Sequence, residues 1–189
     1  MNTISSPSAI TNGMPLKGVR GQMLSFKDDP FLKPASECYD HYQDGLIVIR
    51  DGKIIDAGDY SIVAPRYPQL NDIDTYSDAL IMPGLIDCHT HYVQSPMLGS
   101  FGDTLLNWLN RYTYPTESMF RDKGVADEVA RMFFRQLLEH GTTTANVFAT
   151  TFETSVEAFF EESERYNTRM ISGKVLQDRN LPDSLKDES

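Results

Sequence analysis

Two histidines separated by one residue, His89 and His91, form the pattern best suited to chemistry in this sequence. They end the run PGLIDCHTH at residues 83–91, whose apolar start is typical of a short buried strand. Alternate side chains of a strand share a face, so both imidazoles are expected on the same side. A lone strand histidine is usually a packed core residue, but a spaced pair favours a site for one divalent ion. Zinc is the preferred ion, and iron stays open because imidazole binds both.

Two neighbours in the same run bear on this site. Asp87 is expected on the histidine face, where it either orients a ligand from the second coordination layer or serves as a hydrogen-bonded core residue. Cys88 is expected to point the other way and to pack in the core. With Cys38 it gives neither a disulfide framework nor a Cys-based zinc pattern.

The charge balance excludes several classes of partner. The 189 residues carry 27 acidic and 17 basic side chains, a formal net charge of −10. Such a surface repels nucleic acids and anionic membranes. No segment reaches the roughly 18 consecutive apolar residues of a membrane helix, and residues 1–14 lack the layout of a secretion signal. The sequence therefore predicts a cytoplasmic protein that binds neither nucleic acid nor membrane.

Before the histidines, the sequence is typical of strands and hairpins. Strands are predicted at residues 19–26, 45–50 and 53–58, with Asp51-Gly52 as a type I′ hairpin turn. Residues 64–74 are predicted to be a connection. We expect a flexible tail over residues 1–16 and a partial small β domain over residues 17–81.

After His91 the pattern changes to alternating helices and strands. A short helix is predicted at residues 103–110, and helical spacing of apolar residues predicts a long helix that ends near His140 and Gly141. A strand follows at 142–150, a helix beginning with the capping box TSVE at 154–157, and a strand at 169–176. This order predicts parallel strands joined by helices in an α/β fold. A complete eightfold barrel needs about 250 residues, so we expect residues 82–189 to be the amino-terminal part of a truncated barrel.

Three blocks of the sequence resemble the guanine deaminases of the amidohydrolase superfamily. The blocks are MPGLIDCHTHYVQSPMLGSFGDTLLNWLNRYTYPTE at 82–117, LLEHGTTTANVFAT at 137–150 and SGKVLQDRN at 172–180. The His-x-His pattern alone indicates the superfamily, and the longer blocks indicate the narrower family.

This resemblance implies the fold and the site. It implies the first three β/α units of a TIM-type (β/α)8 barrel, preceded by part of a small β-sandwich domain. It places His89 and His91 as ligands of one Zn²⁺ per subunit, and Gln94 as a residue that contacts the purine. Lys174 is expected to be structural, and His140 is expected to close a helix rather than bind metal.

The resemblance also implies the reaction, in which guanine is hydrolysed to xanthine and ammonia in purine catabolism. The glutamate that moves the proton is expected downstream, so no catalytic residue is predicted within these residues. We therefore expect the chain to be inactive alone. The resemblance also implies that the full-length protein is a homodimer. Two alternative functions are also compatible with the sequence. The protein is either another deaminase or chlorohydrolase of the superfamily, acting on a triazine, nucleoside or cyclic amide, or a non-catalytic interaction module.

Overall fold

The computed structural model describes residues 15–187, which divide into two compact units, one ending at Pro83 and one beginning at Gly84. Most of the tail predicted for residues 1–16, namely residues 1–14, lies outside the described residues.

The first unit is built on a four-stranded sheet of order β3-β2-β1-β4. β1 pairs antiparallel with β2 and parallel with β4. Leu46, Val48, Val63 and Leu70 form its buried core. The strands are β1 (Lys17–Phe26), β2 (Tyr39–Arg50), β3 (Lys53–Asp59) and β4 (Asp72–Ile81).

The predicted hairpin is confirmed, because Asp51 and Gly52 have φ angles of 52° and 72° between the paired strands β2 and β3. Two other predictions fell short. β2 begins at Tyr39 rather than 45, since its first half is polar and shows no apolar alternation. The connection predicted at residues 64–74 is shorter than expected, because β4 already begins at Asp72. It follows a short helix α1 (Tyr60–Val63), which the Asp59 carboxylate caps by accepting from Ser61 N.

The second unit contains a three-stranded parallel sheet of order β5-β6-β7. Its strands are β5 (Leu85–His91), β6 (Thr142–Phe148) and β7 (Arg169–Gly173). The prediction of parallel strands with helical crossovers is confirmed, and the chain has a mixed α/β fold.

The β5–β6 connection is longer and more helical than predicted. In place of one short helix there are α2 (Leu105–Trp108), a π-helical turn at Leu109–Thr113, and α3 (Tyr114–Ser118). The longest helix, α4 (Lys123–Glu139), then returns to β6. Short 3₁₀ turns lie at Ala35–Glu37, Ala64–Arg66, Tyr92–Met97, Met119–Arg121 and Asp183–Leu185.

The crossover helix α5 (Glu153–Tyr166) ends as predicted but begins differently. Asn167 stops it in the left-handed conformation, with φ 51°. The capping box predicted at 154–157 is wrong, because the helix already starts at Glu153 and has no side-chain cap. The Thr154 hydroxyl instead donates to the Phe120 carbonyl.

One face of the parallel sheet is covered and the other is exposed. Ala145 and Val147 of β6 are buried in a core formed with aromatic residues of α4 and α5, chiefly Phe133, Phe134 and Phe159. On the opposite face, Ile86 and Ile171 are 69% and 63% exposed. Among the helices of residues 15–187, none has the length and apolarity needed to cross a membrane.

Candidate metal centre

The two histidines lie at the carboxyl end of β5, with His91 as its last residue. Their Nε2 atoms are 3.3 Å apart, and their rings meet at 63° with centroids 5.2 Å apart. Two nitrogens each about 2.0–2.1 Å from a tetrahedral zinc ion are themselves about 3.3 Å apart. The donor atoms and their separation therefore fit half of a zinc site.

An irregularity in β5 explains why these side chains lie on the exposed face. Asp87 pairs with Ala145 and Thr90 with Val147, so three steps along β5 match two along β6. Such an extra residue breaks the alternation of side chains and redirects them. Together with an opposite shift between Leu85 and Ile86, where one step along β5 matches two along β6, it pairs His91 with Phe148 on the face away from the helices.

The shift between Leu85 and Ile86, where one step along β5 matches two along β6, corrects two expectations. Asp87 pairs with the buried Ala145 rather than sharing the histidine face, and its Oδ1 accepts from the backbone N–H of His89 at 3.0 Å. It thus satisfies a main-chain donor within the irregular stretch. Cys88 is exposed rather than packed in the core, because it follows Ile86 by two residues and Ile86 lies on the uncovered side.

Phe148 contacts both imidazoles. Its ring stacks on His91, with centroids 4.6 Å apart and planes 12° apart, and lies 5.1 Å from His89. Burial, with a smaller contribution from the charge of His89, lowers the pKa of His91. The ring is therefore held in the neutral form, which is the form that binds metal.

Gln94 lies one turn beyond His91 in the 3₁₀ segment Tyr92–Met97. Its Nε2 is 3.4 Å from His91 Nδ1 and donates to Glu117 Oε1 at 3.1 Å. Glu117, on α3, is only 7% exposed. Burial raises the pKa of its carboxyl group, and the hydrogen bond from Gln94 partly opposes that rise.

Other polar residues singled out in the sequence lie apart from the pair. His140 caps α4, with Nδ1 2.8 Å from the Gln136 carbonyl oxygen. Lys174 Nζ forms an ion pair with Asp187 at 2.6 Å. Within residues 15–187, no three histidine, cysteine or acidic side chains are grouped so as to hold a metal ion.

A cavity of about 460 Å³ adjoins His91 and Gln94. Its wall is shared between α4, which supplies Phe133, Gln136 and Leu137, and the 3₁₀ segment, which supplies Gln94 and Ser95.

The sequence did not identify Phe148 and Glu117 as parts of this site. Phe148 could have been found from the strand order, because the carboxyl ends of neighbouring parallel strands lie together. Glu117 offers no comparable signal, since its neighbours Thr116 and Ser118 are polar and its burial depends on the packing of α3.

The chain is similar to known proteins in sequence and in structure. The sequence model of the amidohydrolase family matches residues 80–189. Guanine deaminase of Escherichia coli K12 is 41% identical over 175 residues, which cover 91% of this chain and 39% of that protein.

Two crystal structures are similar to the chain. Guanine deaminase of Bradyrhizobium japonicum has a TM-score of 0.87 and 37% identity, covering 92% of this chain and 38% of that one. Guanine deaminase of C. acetobutylicum with bound guanine has a TM-score of 0.76 and 31% identity, covering 90% and 39%. The chain thus spans about two fifths of the length of these relatives.

Proposed function

Because the chain belongs to the amidohydrolase family, we propose that it supplies the first metal-binding strand and a purine contact of a guanine deaminase. The reaction converts guanine and water to xanthine and ammonia. The observation that carries the proposal is the 3.3 Å separation of the His89 and His91 Nε2 atoms, with Gln94 beside them. The similarity to guanine deaminases supports the choice of purine.

In this proposal, β5 to β7 with their helices are the first three units of a TIM-type barrel spanning residues 82–189. The sheet of residues 17–81 belongs to a small β-sandwich domain. The whole protein is a cytoplasmic homodimer. In such barrels the chemistry lies at the carboxyl ends of the strands, and that is the end of β5 at which both histidines lie.

His89 and His91 would hold one zinc ion, with iron as the other candidate, and further ligands would come from outside this chain. A zinc ion held there would supply Lewis-acid activation of water near neutral pH. Phe148 stacks on His91, and burial lowers the pKa of that imidazole, which favours its neutral, metal-binding form. Asp87 holds the backbone of His89, and its role in orienting a ligand remains a proposal.

Gln94 would contribute to recognition of the base. Its amide can donate and accept hydrogen bonds, which suits a purine edge that carries both kinds of group. No residue of this chain is proposed to move the proton to the departing ammonia. That task needs a carboxylate near the attacked carbon, whereas Glu117 is bonded to the Gln94 amide.

A hybrid enzyme tests this function. The matching segment of the E. coli relative would be replaced by residues 15–187, and xanthine formation from guanine would be followed with adenosine and a chlorinated triazine as competing substrates. We expect guanine to be preferred. His89→Ala or His91→Ala should reduce turnover at least about 100-fold, because mutation of a residue that only supports a metal ligand already lowers metal affinity or activity about 10–100-fold.

His41→Ala is the matched control, because His41 lies in β2 and bonds Gln22. A hybrid that folds and prefers adenosine or the triazine would instead support another member of the family. A hybrid in which His89→Ala is as active as the parent would refute the metal assignment.

A further inference from the structure

We propose that Glu117 is a positioning residue that fixes the side-chain amide of Gln94 beside His91 and thereby sets how that amide meets the substrate. The inference rests on the proposed function only for the identity of the substrate. The hydrogen bond itself is a property of the chain. It links α3 to the 3₁₀ segment that follows β5 across 23 residues of sequence.

The geometry singles out one interaction. Gln94 Nε2 donates to Glu117 Oε1 at 3.1 Å, within the usual range for such bonds, whereas its 3.4 Å contact with His91 Nδ1 is long. Within residues 15–187, Gln94 is the side chain that hydrogen-bonds the Glu117 carboxylate. The bond to Glu117 is therefore the main restraint on the amide.

The burial of Glu117 argues against a purely structural role. A carboxylate that is 7% exposed and holds one side-chain hydrogen bond is costly to bury. A methionine of similar length fills the same volume without that cost. If residue 117 only filled space in the core, an apolar side chain would stabilise the fold more than a carboxylate does.

The chemistry of the pair fixes the direction of the amide. An ionised carboxylate only accepts hydrogen bonds, so it must face the amide nitrogen and not the carbonyl oxygen. Without this partner the Gln94 amide can rotate by 180°, which exchanges its oxygen and its nitrogen, because the two groups are nearly equal in shape. Glu117 thereby selects one of two orientations of Gln94 next to a proposed metal ligand.

The test uses the 189-residue chain and the NMR signals of the Gln94 side-chain NH₂, assigned with Gln94→Met. In the parent chain we expect slow exchange of the bonded amide proton with water. Glu117→Met should speed that exchange at least about tenfold, because a hydrogen bond to a charged group contributes about 1.5 kcal/mol or more. Glu117→Gln retains an acceptor oxygen and should restore slow exchange.

Glu157→Met, at an exposed site on α5, is the control and should change nothing. If Glu117→Met does not fold, Glu117→Ala gives the same readout. Unchanged exchange in the folded Glu117→Met or Glu117→Ala chain would overturn the proposal, as would loss of protection in Glu117→Gln equal to that in Glu117→Met. None of these outcomes depends on guanine turnover, so failure of the proposed function is detected separately by the hybrid enzyme.

Discussion

Burial shifts the pKa values of His91 and Glu117 in opposite directions. It lowers the pKa of His91 and raises that of Glu117. A histidine with a lowered pKa contributes stability that is lost as the pH falls below its ordinary value of 6.5. An acid with a raised pKa costs stability as the pH rises from 4.5 through the raised value. As the pH rises, the titration of His91 therefore increases stability and that of Glu117 decreases it.

Replacing Glu117 by glutamine should stabilise the chain at neutral pH. Glutamine keeps the shape and an acceptor oxygen but removes the charge that burial disfavours. The gain in melting temperature over the parent should be smallest near pH 4.5, grow as the pH rises through the raised pKa of Glu117, and then level off. Thermal unfolding across this range measures it, with Glu157→Gln as the exposed control. A gain independent of pH would contradict the assignment of a raised pKa to Glu117.

The two cysteines should differ in reactivity. Cys88 is exposed and Cys38 is buried with its thiol near the carbonyls of Lys33 and Pro34. In the folded chain, a thiol reagent should label one equivalent rapidly, and this labelling should disappear in Cys88→Ser but persist in Cys38→Ser. Rapid labelling of Cys88→Ser would show instead that the reactive thiol is that of Cys38.

At the scale of elements, the sequence predicted what depends on local chemistry. The Asp51-Gly52 turn follows from the φ preferences of two residues, and the ends of α4 and α5 follow from Gly141 and Asn167. The two register shifts of β5 were not predictable, because they depend on how β5 pairs with β6 rather than on either strand alone. Cys88 was assigned to the wrong face because of the first of them, between Leu85 and Ile86. Glu117 was missed because only tertiary packing buries it.

The hairpin turn gives a test of an element. Gly52→Ala places a Cβ at φ 72°, which should destabilise the chain by about 1–2 kcal/mol in denaturant unfolding. Gly173→Ala is the matched control, since a Cβ at either position meets no atom within 4 Å and only Gly52 has a positive φ. Equal effects of the two substitutions would mean that the left-handed backbone is not the cause.

At the scale of the whole molecule, the parallel sheet is exposed on one face. Parallel sheets are normally covered on both faces, yet Ile86, Phe148 and Ile171 are exposed on one side of this sheet. The proposed barrel would bury these side chains among strands that this chain does not supply. The histidine pair likewise offers two of the three or more protein ligands that a zinc site needs.

The chain alone should therefore show no guanine turnover above that of His89→Ala. Xanthine formation at saturating zinc measures this. Turnover that exceeds the variant would show that two ligands from one chain, or an association of chains, suffice for activity.

The exposed face should also bind a hydrophobic dye such as ANS. Ile171→Thr removes apolar surface from the patch and should reduce the fluorescence. Ile62→Thr changes an exposed isoleucine on α1 and should leave it unaltered, because single exposed apolar residues do not form a patch. Equal fluorescence of Ile171→Thr and the parent would place the dye elsewhere.

The two register shifts between β5 and β6 are of opposite sense and cancel. One step along β5 after Leu85 matches two along β6, and three steps after Asp87 match two, so Leu85 pairs with Thr142 and His91 with Phe148. A graft of the His-Thr-His tripeptide that carried one shift without the other would turn both imidazoles toward α4 and α5, because each shift reverses the alternation of side chains. A transplanted motif must therefore bring both shifts or neither.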